Sequence, residues 1–260
     1  MSMQVWIVLY EPSLVSDELY RRALRLVDVE SQTRIGRYYR RDDACRCLLG
    51  RLLPRLLLKQ RGLPLKSMVF GASESGKPYI RTPLDPSIAY NISHDNGLVA
   101  MAFTSGGHSA SQVGVDVMQV KLPPRETFRN FVFSFKEQLT VVEQRSLLTP
   151  GLSERDALRR FFLLWTMKEA YTKALGMGLG FDFRRVEYNI VENVVRIDGA
   201  VPKGWEFVTF DVHEGGNPYV GVTARHIGGE KTTVCHRPPG SWLVRAPADT
   251  LLQRAITELH

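Results

Sequence analysis

The sequence predicts an α+β fold made of two pseudo-symmetric α/β lobes in one chain. The 260 residues suit one large domain or two domains of about 130 residues each. Residues 91–102 and 211–223 each read as strand, polar turn and apolar strand, and a long predicted helix precedes each at some distance. The polar stretch 105–112, rich in Gly and Ser, lies between the two halves and predicts a linker. The echo is faint, and chance similarity is the alternative to duplication.

These boundaries predict an N-terminal lobe over residues 1–108, a C-terminal lobe over 109–226, and a Gly- and Pro-rich extension over 227–260 that packs back on the body. The chain opens with the apolar run Gln4–Tyr10, which indicates a buried strand and not a signal peptide. Asp17 is a candidate cap for a helix rich in Leu and Arg, and Asp42 or Asp43 for the next one. Pro54 either kinks or ends that second helix, and we expect a kink.

Four strands complete the first half of the prediction. They cover residues 68–70, 78–80, 89–93 and 98–103. The turn Asp95-Asn-Gly97 lies between the last two runs, and Asn-Gly in such a place indicates a hairpin.

The second half begins with a strand at Val113–Val117. Ser134 with Glu137 three residues later has the pattern of a capping box and predicts a helix over 134–147, after another over 127–133. A long helix is predicted for Arg155–Leu175, with Gly176 at the position of a C-terminal cap. The predicted elements that follow are strands at 185–190, 194–197, 205–212, 219–224 and 241–245 and a final helix at 248–259.

The composition describes a protein with an ample core and a basic surface. Hydrophobic residues make up 44% and charged residues 23%, and the formal charge of +7 favours an anionic partner such as nucleic acid, a phosphorylated cofactor or an acidic protein. Three cysteines are too few for a disulfide scaffold or a four-ligand zinc site, so we expect a reducing, cytoplasmic location. No apolar run approaches about 20 residues, so no membrane span is expected.

Two acidic residues, Asp116 and Glu169, are candidates for a functional site. Asp116 lies within a run of valines on a predicted strand, where a carboxylate is costly unless it is paired, hydrogen-bonded or bound to a cation. Glu169 and Lys173 stand one turn apart on the long helix, a spacing that by itself most often means a surface ion pair. For Asp116 the two interpretations are a hydrogen bond to a neighbouring loop and a magnesium ligand.

Four motifs occur in one order along the chain. They are Gly76-Lys77-Pro78, Asn91-Ile-Ser-His94, Val113-Gly114-Val115-Asp116 and Trp165-Thr-Met-Lys168-Glu169-Ala-Tyr-Thr-Lys173, and Arg41-Asp-Asp-Ala44 precedes them at the opening of a helix. This combination resembles the Sfp-type 4′-phosphopantetheinyl transferases over about residues 30–225. The Asp-Val-Met sequence at 116–118 looks more like the eukaryotic aminoadipate-semialdehyde-dehydrogenase type than the bacterial one.

The resemblance implies the transferase fold with its active site between the lobes, and magnesium held by Asp116 and Glu169. Bacterial members place a Glu two residues after the Asp, where this chain has Met118, whose thioether binds magnesium poorly. Asp95 is the candidate replacement, and a water molecule is the alternative.

The resemblance also implies a binding site for coenzyme A, the co-substrate. Ser93 and His94 would contact its 3′-phosphate, Lys77 another phosphate, and Pro78 the adenine, whereas a solvated hairpin lysine is the bland interpretation of Lys77. Among the arginines we expect Arg41 and Arg46, rather than Arg34, to take part, and the rest to be a solvated face. Lys173 would touch the pyrophosphate.

The implied reaction transfers the 4′-phosphopantetheine arm to a serine of an acyl, peptidyl or aminoadipate-reductase carrier domain and releases adenosine 3′,5′-bisphosphate. Glu169 would take the serine proton and Lys173 would offset charge on the leaving group. Phe128, Phe131, Phe133 and Phe135 fill the core or, for one or two of them, form an apolar dock for the carrier. We expect a monomer that binds neither nucleic acid nor membranes. The competing hypotheses are a basic nucleic-acid-binding protein and a non-catalytic coenzyme A-binding module.

Overall fold

The computed structural model describes residues 3–106, 112–177 and 180–259, so most of the predicted linker lies outside the described residues. The helices are α1 (Asp17–Leu24), α2 (Val29–Gly36), α3 (Arg41–Gln60), α4 (Phe128–Ser134), α5 (Val141–Leu147), α6 (Glu154–Leu175) and α7 (Ala248–Glu258). The strands are β1 (Gln4–Leu9), β2 (Phe70–Ala72), β3 (Pro78–Ile80), β4 (Ile88–Asp95), β5 (Leu98–Ser105), β6 (Val113–Gln119), β7 (Val186–Asn189), β8 (Val194–Ile197), β9 (Trp205–Glu214), β10 (Asn217–His226), β11 (Thr233–His236) and β12 (Leu243–Pro247).

The first lobe is a four-stranded sheet in the order β12-β1-β5-β4, covered by helices. Strands β4 and β5 form the hairpin predicted around Asn96-Gly97, and β12 lies parallel to β1 with Val5 opposite Leu243. Leucines of α3 and the apolar face of α7 pack on this sheet in one continuous core. The tail of the chain therefore completes the first lobe.

The second lobe repeats this plan with a four-stranded sheet in the order β11-β9-β10-β6. Helix α6 lies across it, and Met167, Ala170 and Tyr171 pack with Phe207 and Val222. The apolar residues of α6 recur at helical spacing. The helix ends at Leu175, and Gly176, whose φ of 71° is left-handed, is its C-terminal cap. The predictions of this helix and of its cap are confirmed.

A third core joins the two sheets. Val113, Val115 and Val117 of β6 face the first sheet, where they pack with Ile7 and Ala100, among others. Because successive side chains of a strand alternate, Gly114, Asp116 and Met118 face α6 instead. The predicted α+β architecture of two related lobes is confirmed.

Helix α3 continues through Pro54 to Gln60, so the proline does not end it, and the expected kink stays a prediction. The predicted position of the capping box is wrong. Ser134 is the last residue of α4, and the capping box is formed by Thr140 and Glu143 at the start of α5. Both residue pairs have the same three-residue spacing, and the aromatic packing of Phe131 and Phe135 around Phe161 decides where the chain turns.

Two predicted helix caps also differ from the structure. Ser16 caps α1 in place of Asp17, and α3 begins at Arg41 after Arg40, without a side-chain cap. Among the helices within the described ranges, none combines the length and apolar composition needed to cross a bilayer.

Candidate active site

The site begins with a close approach between strand β6 and helix α6 at Gly114. A Cβ atom at this position would lie 2.0 Å from the carbonyl oxygen of Ala170 and 2.5 Å from the amide nitrogen of Ala174. Only glycine allows the helix to rest this closely on the strand. The contact brings Asp116, two residues along the strand, under the last turns of α6.

Asp116, Ser93 and Lys173 form a hydrogen-bonded triangle at this junction. The ammonium group of Lys173 donates to Asp116 Oδ1 at 2.6 Å and to Ser93 Oγ at 3.0 Å, and Ser93 Oγ donates to the same carboxylate oxygen at 2.7 Å. The Asp116 side chain is 5% exposed. Its second oxygen, Oδ2, is buried without a hydrogen-bond partner among the described residues. A buried carboxylate oxygen in that state is a position for a cation or a donor.

Strand β4 aligns the site from the other lobe. Asn91, Ser93 and Asp95 share one face because they are two residues apart, and each reaches β6. Asn91 Oδ1 accepts from the amide of Val115 at 2.9 Å, and Asp95 Oδ2 accepts from the amide of Gln119 at 2.7 Å. These bonds from side chain to backbone place the edges of the two sheets side by side, with the Asp116 triangle between them.

Glu169 is the second carboxylate at the junction, one turn before Lys173 on α6. Burial raises its pKa, the negative charge of Asp116 raises it further, and Lys173 partly offsets both effects. A raised pKa makes the carboxylate a stronger base, which favours a role as proton acceptor.

Asp95 lies close enough to Asp116 to sense its charge. Burial raises the pKa of Asp95, the hydrogen bond from Gln119 opposes this rise, and the charge of Asp116 adds to it. Met118, two residues after Asp116 on the same face of β6, is half-buried against the aromatic core and offers no oxygen. No group of three or more His, Cys, Asp or Glu side chains in metal-binding arrangement occurs in the parts of the chain that the structure describes.

Lys77 joins the first lobe to the end of α6. Its ammonium group donates to the carbonyl oxygen of Ala174 at 2.6 Å, and its stem lies against Gly176. Burial lowers the pKa of Lys77 to about 8. Lys77, which we predicted to bind phosphate, thus donates to one of the carbonyl oxygens that the end of the helix leaves without a partner. This carbonyl belongs to the residue after Lys173. Pro78 follows it as the first residue of β3.

The remaining predicted residues lie at different distances from the triangle. His94 is exposed at the end of β4, and its pKa is lowered by partial loss of water and by the charges of Arg46 and Lys173. Arg46 donates to the carbonyl oxygen of Asn96 at 2.8 Å and so holds the β4–β5 turn.

Arg41 turns away from this group. It pairs with Asp17 at 2.9 Å and stacks on Tyr20. The structure therefore brings Ser93, Asp116 and Lys173 together and places Lys77 at the same end of α6. Arg41 instead forms part of the contact between α1 and α3.

Lys168 of the signature has a role that the sequence did not reveal. It is fully buried, pairs with Glu143 at 2.8 Å, and donates to the carbonyl oxygens of Phe183 and Val186. Burial raises the pKa of Glu143 and lowers that of Lys168, and each group partly offsets the shift of the other. The pair ties α5, α6 and β7 together on the side of α6 away from the triangle. In the sequence, the capping-box spacing of Thr140 and Glu143 was the one sign that Glu143 has a structural role.

An apolar groove opens beside Asp95. It has a volume of about 430 Å³. Its walls include Met118, Leu122, Phe131, Phe135 and Trp165. Phe133, by contrast, is 65% exposed outside this groove. Phe131 and Phe135 therefore serve as core residues and as groove wall at the same time.

Comparison with known protein families matches both lobes. Residues 12–106 fit the model of the 4′-phosphopantetheinyl transferase N-terminal domain, and residues 112–244 fit that of the 4′-phosphopantetheinyl transferase superfamily. The second match alone spans half of the chain. The chain belongs to the 4′-phosphopantetheinyl transferase superfamily.

Relatives of this transferase come from fungi, animals and bacteria. The chain is 49% identical to 4′-phosphopantetheinyl transferase pptA of Paxillus involutus, over 99% of this chain and all of the relative. It is 28% identical to the L-aminoadipate-semialdehyde dehydrogenase-phosphopantetheinyl transferase of Mus musculus, over 80% of this chain and 70% of that protein. It is 30% identical to 4′-phosphopantetheinyl transferase Sfp of Bacillus subtilis, over 66% and 70%. The predictions of the family and of an enzyme of this class are confirmed.

The donor atoms at this junction are of the kind that magnesium prefers. Magnesium prefers carboxylate oxygens and keeps several waters, so two carboxylates and a phosphate suffice. The unpartnered Oδ2 of Asp116 is a free oxygen of the required kind, and Glu169 and Asp95 both lie within its electrostatic reach.

Proposed function

We propose that this transferase moves the 4′-phosphopantetheine arm of coenzyme A onto a serine of an apo carrier domain, with magnesium, and releases adenosine 3′,5′-bisphosphate. The observation that carries the proposal is the convergence of Asp116, Glu169 and Lys173 at the junction of the lobes, with one carboxylate oxygen left unpartnered. The two carboxylates suit a divalent cation, and the lysine beside them suits a diphosphate.

Asp116, Glu169 and Asp95 would hold the magnesium ion. When bound, this ion supplies positive charge to the pyrophosphate and to the leaving oxygen. Because Met118 offers no oxygen, Asp95 or a water molecule would fill the third position. The tether of Asp95 to the amide of Gln119 keeps its carboxylate at the junction.

Coenzyme A would lie across Lys77 and Lys173 at the end of α6. Lys173 contacts the pyrophosphate, and Lys77, which stands at the same end of α6, contacts another phosphate. Ser93 and His94 would face the 3′-phosphate, Pro78 would lie near the adenine, and Arg46 would add positive charge from α3. Ser93 can do this only by sharing its hydroxyl group, since it is buried between Asp116 and Lys173. Arg41 is paired with Asp17 and is not assigned to the site.

In the chemical step the carrier serine oxygen attacks the phosphorus atom that bears the pantetheine arm. A serine–phosphorus bond forms, and the bond from that phosphorus to the bridging oxygen of the diphosphate breaks. Glu169 would accept the proton of the serine hydroxyl group. The bridging oxygen leaves with the adenosine 3′,5′-bisphosphate, and Lys173 offsets its charge.

The carrier would dock at the apolar groove beside Asp95. The groove opens next to the reacting centre, and its aromatic walls suit an apolar helix face. The net charge of +7 attracts an acidic carrier and speeds its encounter. A carrier domain of the aminoadipate type is one acceptor to test, because the name of the mouse relative includes L-aminoadipate-semialdehyde dehydrogenase.

The test compares Glu169→Gln with the matched control Glu230→Gln, a surface glutamate of the second lobe that is 81% exposed. Each variant and the wild type is incubated with coenzyme A, magnesium and a panel of apo carriers, and mass spectrometry detects the added arm. Calorimetry measures the binding of coenzyme A. We expect Glu169→Gln to bind coenzyme A normally and to lose transfer.

Full transfer by Glu169→Gln would remove Glu169 from the mechanism. Binding of coenzyme A by the wild type without transfer to any carrier of the panel would point to a binding module instead of an enzyme.

A further inference from the structure

Lys173 is the cation that neutralises Asp116 in this structure. Its ammonium group lies 2.6 Å from Asp116 Oδ1, and among the described residues no other positively charged side chain hydrogen-bonds to that carboxylate. Without a cation, a carboxylate that is 5% exposed would be strongly destabilised. Lys173 therefore keeps the acidic junction stable when no metal is bound.

The lysine can move, whereas the carboxylate cannot. Asp116 is in the middle of β6, hydrogen-bonded to Ser93, and covered by α6. The side chain of Lys173 is 29% exposed and ends a flexible four-carbon stem. A cation at the unpartnered Oδ2 would neutralise the carboxylate that Lys173 now neutralises from Oδ1, so it would weaken the hold of Asp116 on the lysine.

We propose that Lys173 is an exchangeable counter-ion of the metal site, which competes with the divalent cation for Asp116 until coenzyme A draws it to the pyrophosphate. This inference rests on the proposed function. It implies that metal and coenzyme A strengthen the binding of each other, since each ligand favours the same displaced position of the lysine. Such coupling is reciprocal by thermodynamic necessity.

The test measures the affinity for Mn²⁺ by electron paramagnetic resonance, with and without coenzyme A. Without coenzyme A, Lys173→Met should bind Mn²⁺ about five-fold more tightly than the wild type, or better, as expected for a coupling of typical size. Lys173→Arg keeps a cation on Asp116 and should show no gain. Addition of coenzyme A should increase the affinity for Mn²⁺ less in Lys173→Met than in the wild type.

Lys121→Met is the matched control, because Lys121 is exposed and lines the groove beside Asp95 without a hydrogen bond to Asp116. It removes one positive charge near the site but no direct competitor, so a smaller gain is expected. Lys173→Gln repeats the test with a polar side chain should the methionine variant not fold, and circular dichroism checks both.

Two results would overturn the inference: equal or weaker Mn²⁺ binding by the folded Lys173 variants, or the same gain in Lys121→Met. Both results are compatible with full transfer activity in the wild type, so they would leave the proposed function standing. A wild type that transfers no arm would instead count against the proposed function.

Discussion

Replacement of Gly114 by alanine tests whether the contact between β6 and α6 creates the active site. The added Cβ would lie 2.0 Å from the carbonyl oxygen of Ala170, whereas ordinary contact begins at 3.4 Å. Both partners are backbone atoms, so no side chain can turn aside. Helix α6 must therefore retreat by roughly 1 Å or more.

This retreat would carry Glu169 and Lys173 away from Asp116. Lysine is long enough to recover part of the distance, but Glu169 is shorter and moves with the helix. A displacement of about 1 Å in a catalytic group costs about 100-fold in rate, so we expect kcat/KM for coenzyme A to fall by about that factor. Overpacking should also lower the free energy of unfolding by about 1–3 kcal/mol.

The assay measures kcat/KM with a fixed apo carrier, and urea unfolding measures stability. Gly36→Ala is the matched control, since Gly36 ends α2 with open space around it and should have nearly wild-type values. Gly221→Ala is a second control, because its Cβ would meet the ring of Phe210 in the core between the sheets. It should lose stability and keep most of its activity. A folded Gly114→Ala enzyme within about two-fold of the wild type would refute the reasoning.

Three further changes test other parts of the structure. Lys168→Met leaves the carboxylate of Glu143 buried without its cation, so the free energy of unfolding in urea should fall by about 3–5 kcal/mol. Adding Glu143→Met in the same chain should restore part of this loss. A loss below about 1 kcal/mol would contradict the structural role of Lys168. Lys77 has a pKa of about 8 and loses its charge as the pH rises through that value, so KM for coenzyme A should increase from pH 7 to 9 in the wild type and stay flat in Lys77→Arg. Parallel profiles would remove Lys77 from phosphate binding. Tyr219→Phe takes an acceptor from the amide of Gly97, at 3.1 Å, and should cost about 1 kcal/mol in thermal unfolding, whereas an unchanged melting temperature would mean that water replaces the hydroxyl group.

Patterns within a few residues made the elements of this fold predictable. Helix α6 follows from the spacing of its apolar residues and from Gly176, and the β4–β5 hairpin from Asn96-Gly97 between two apolar runs. The order of the four motifs was enough for the family. The prediction of the capping box was wrong because Ser134 and Thr140 both have a glutamate three residues later. The pattern alone does not show at which of the two positions a helix begins, since this depends on how the surrounding core packs.

What the sequence by itself determined about this protein is therefore its class, its main helices and strands, and the residue types of its site. Only the tertiary structure decided that Lys173 pairs with Asp116, that Lys77 donates to Ala174, and that Lys168 is a buried structural residue. The partners in these contacts are 25 to 97 residues apart in the chain. Their distances depend on how α6 packs against β6, the first lobe and α5, which no local propensity determines.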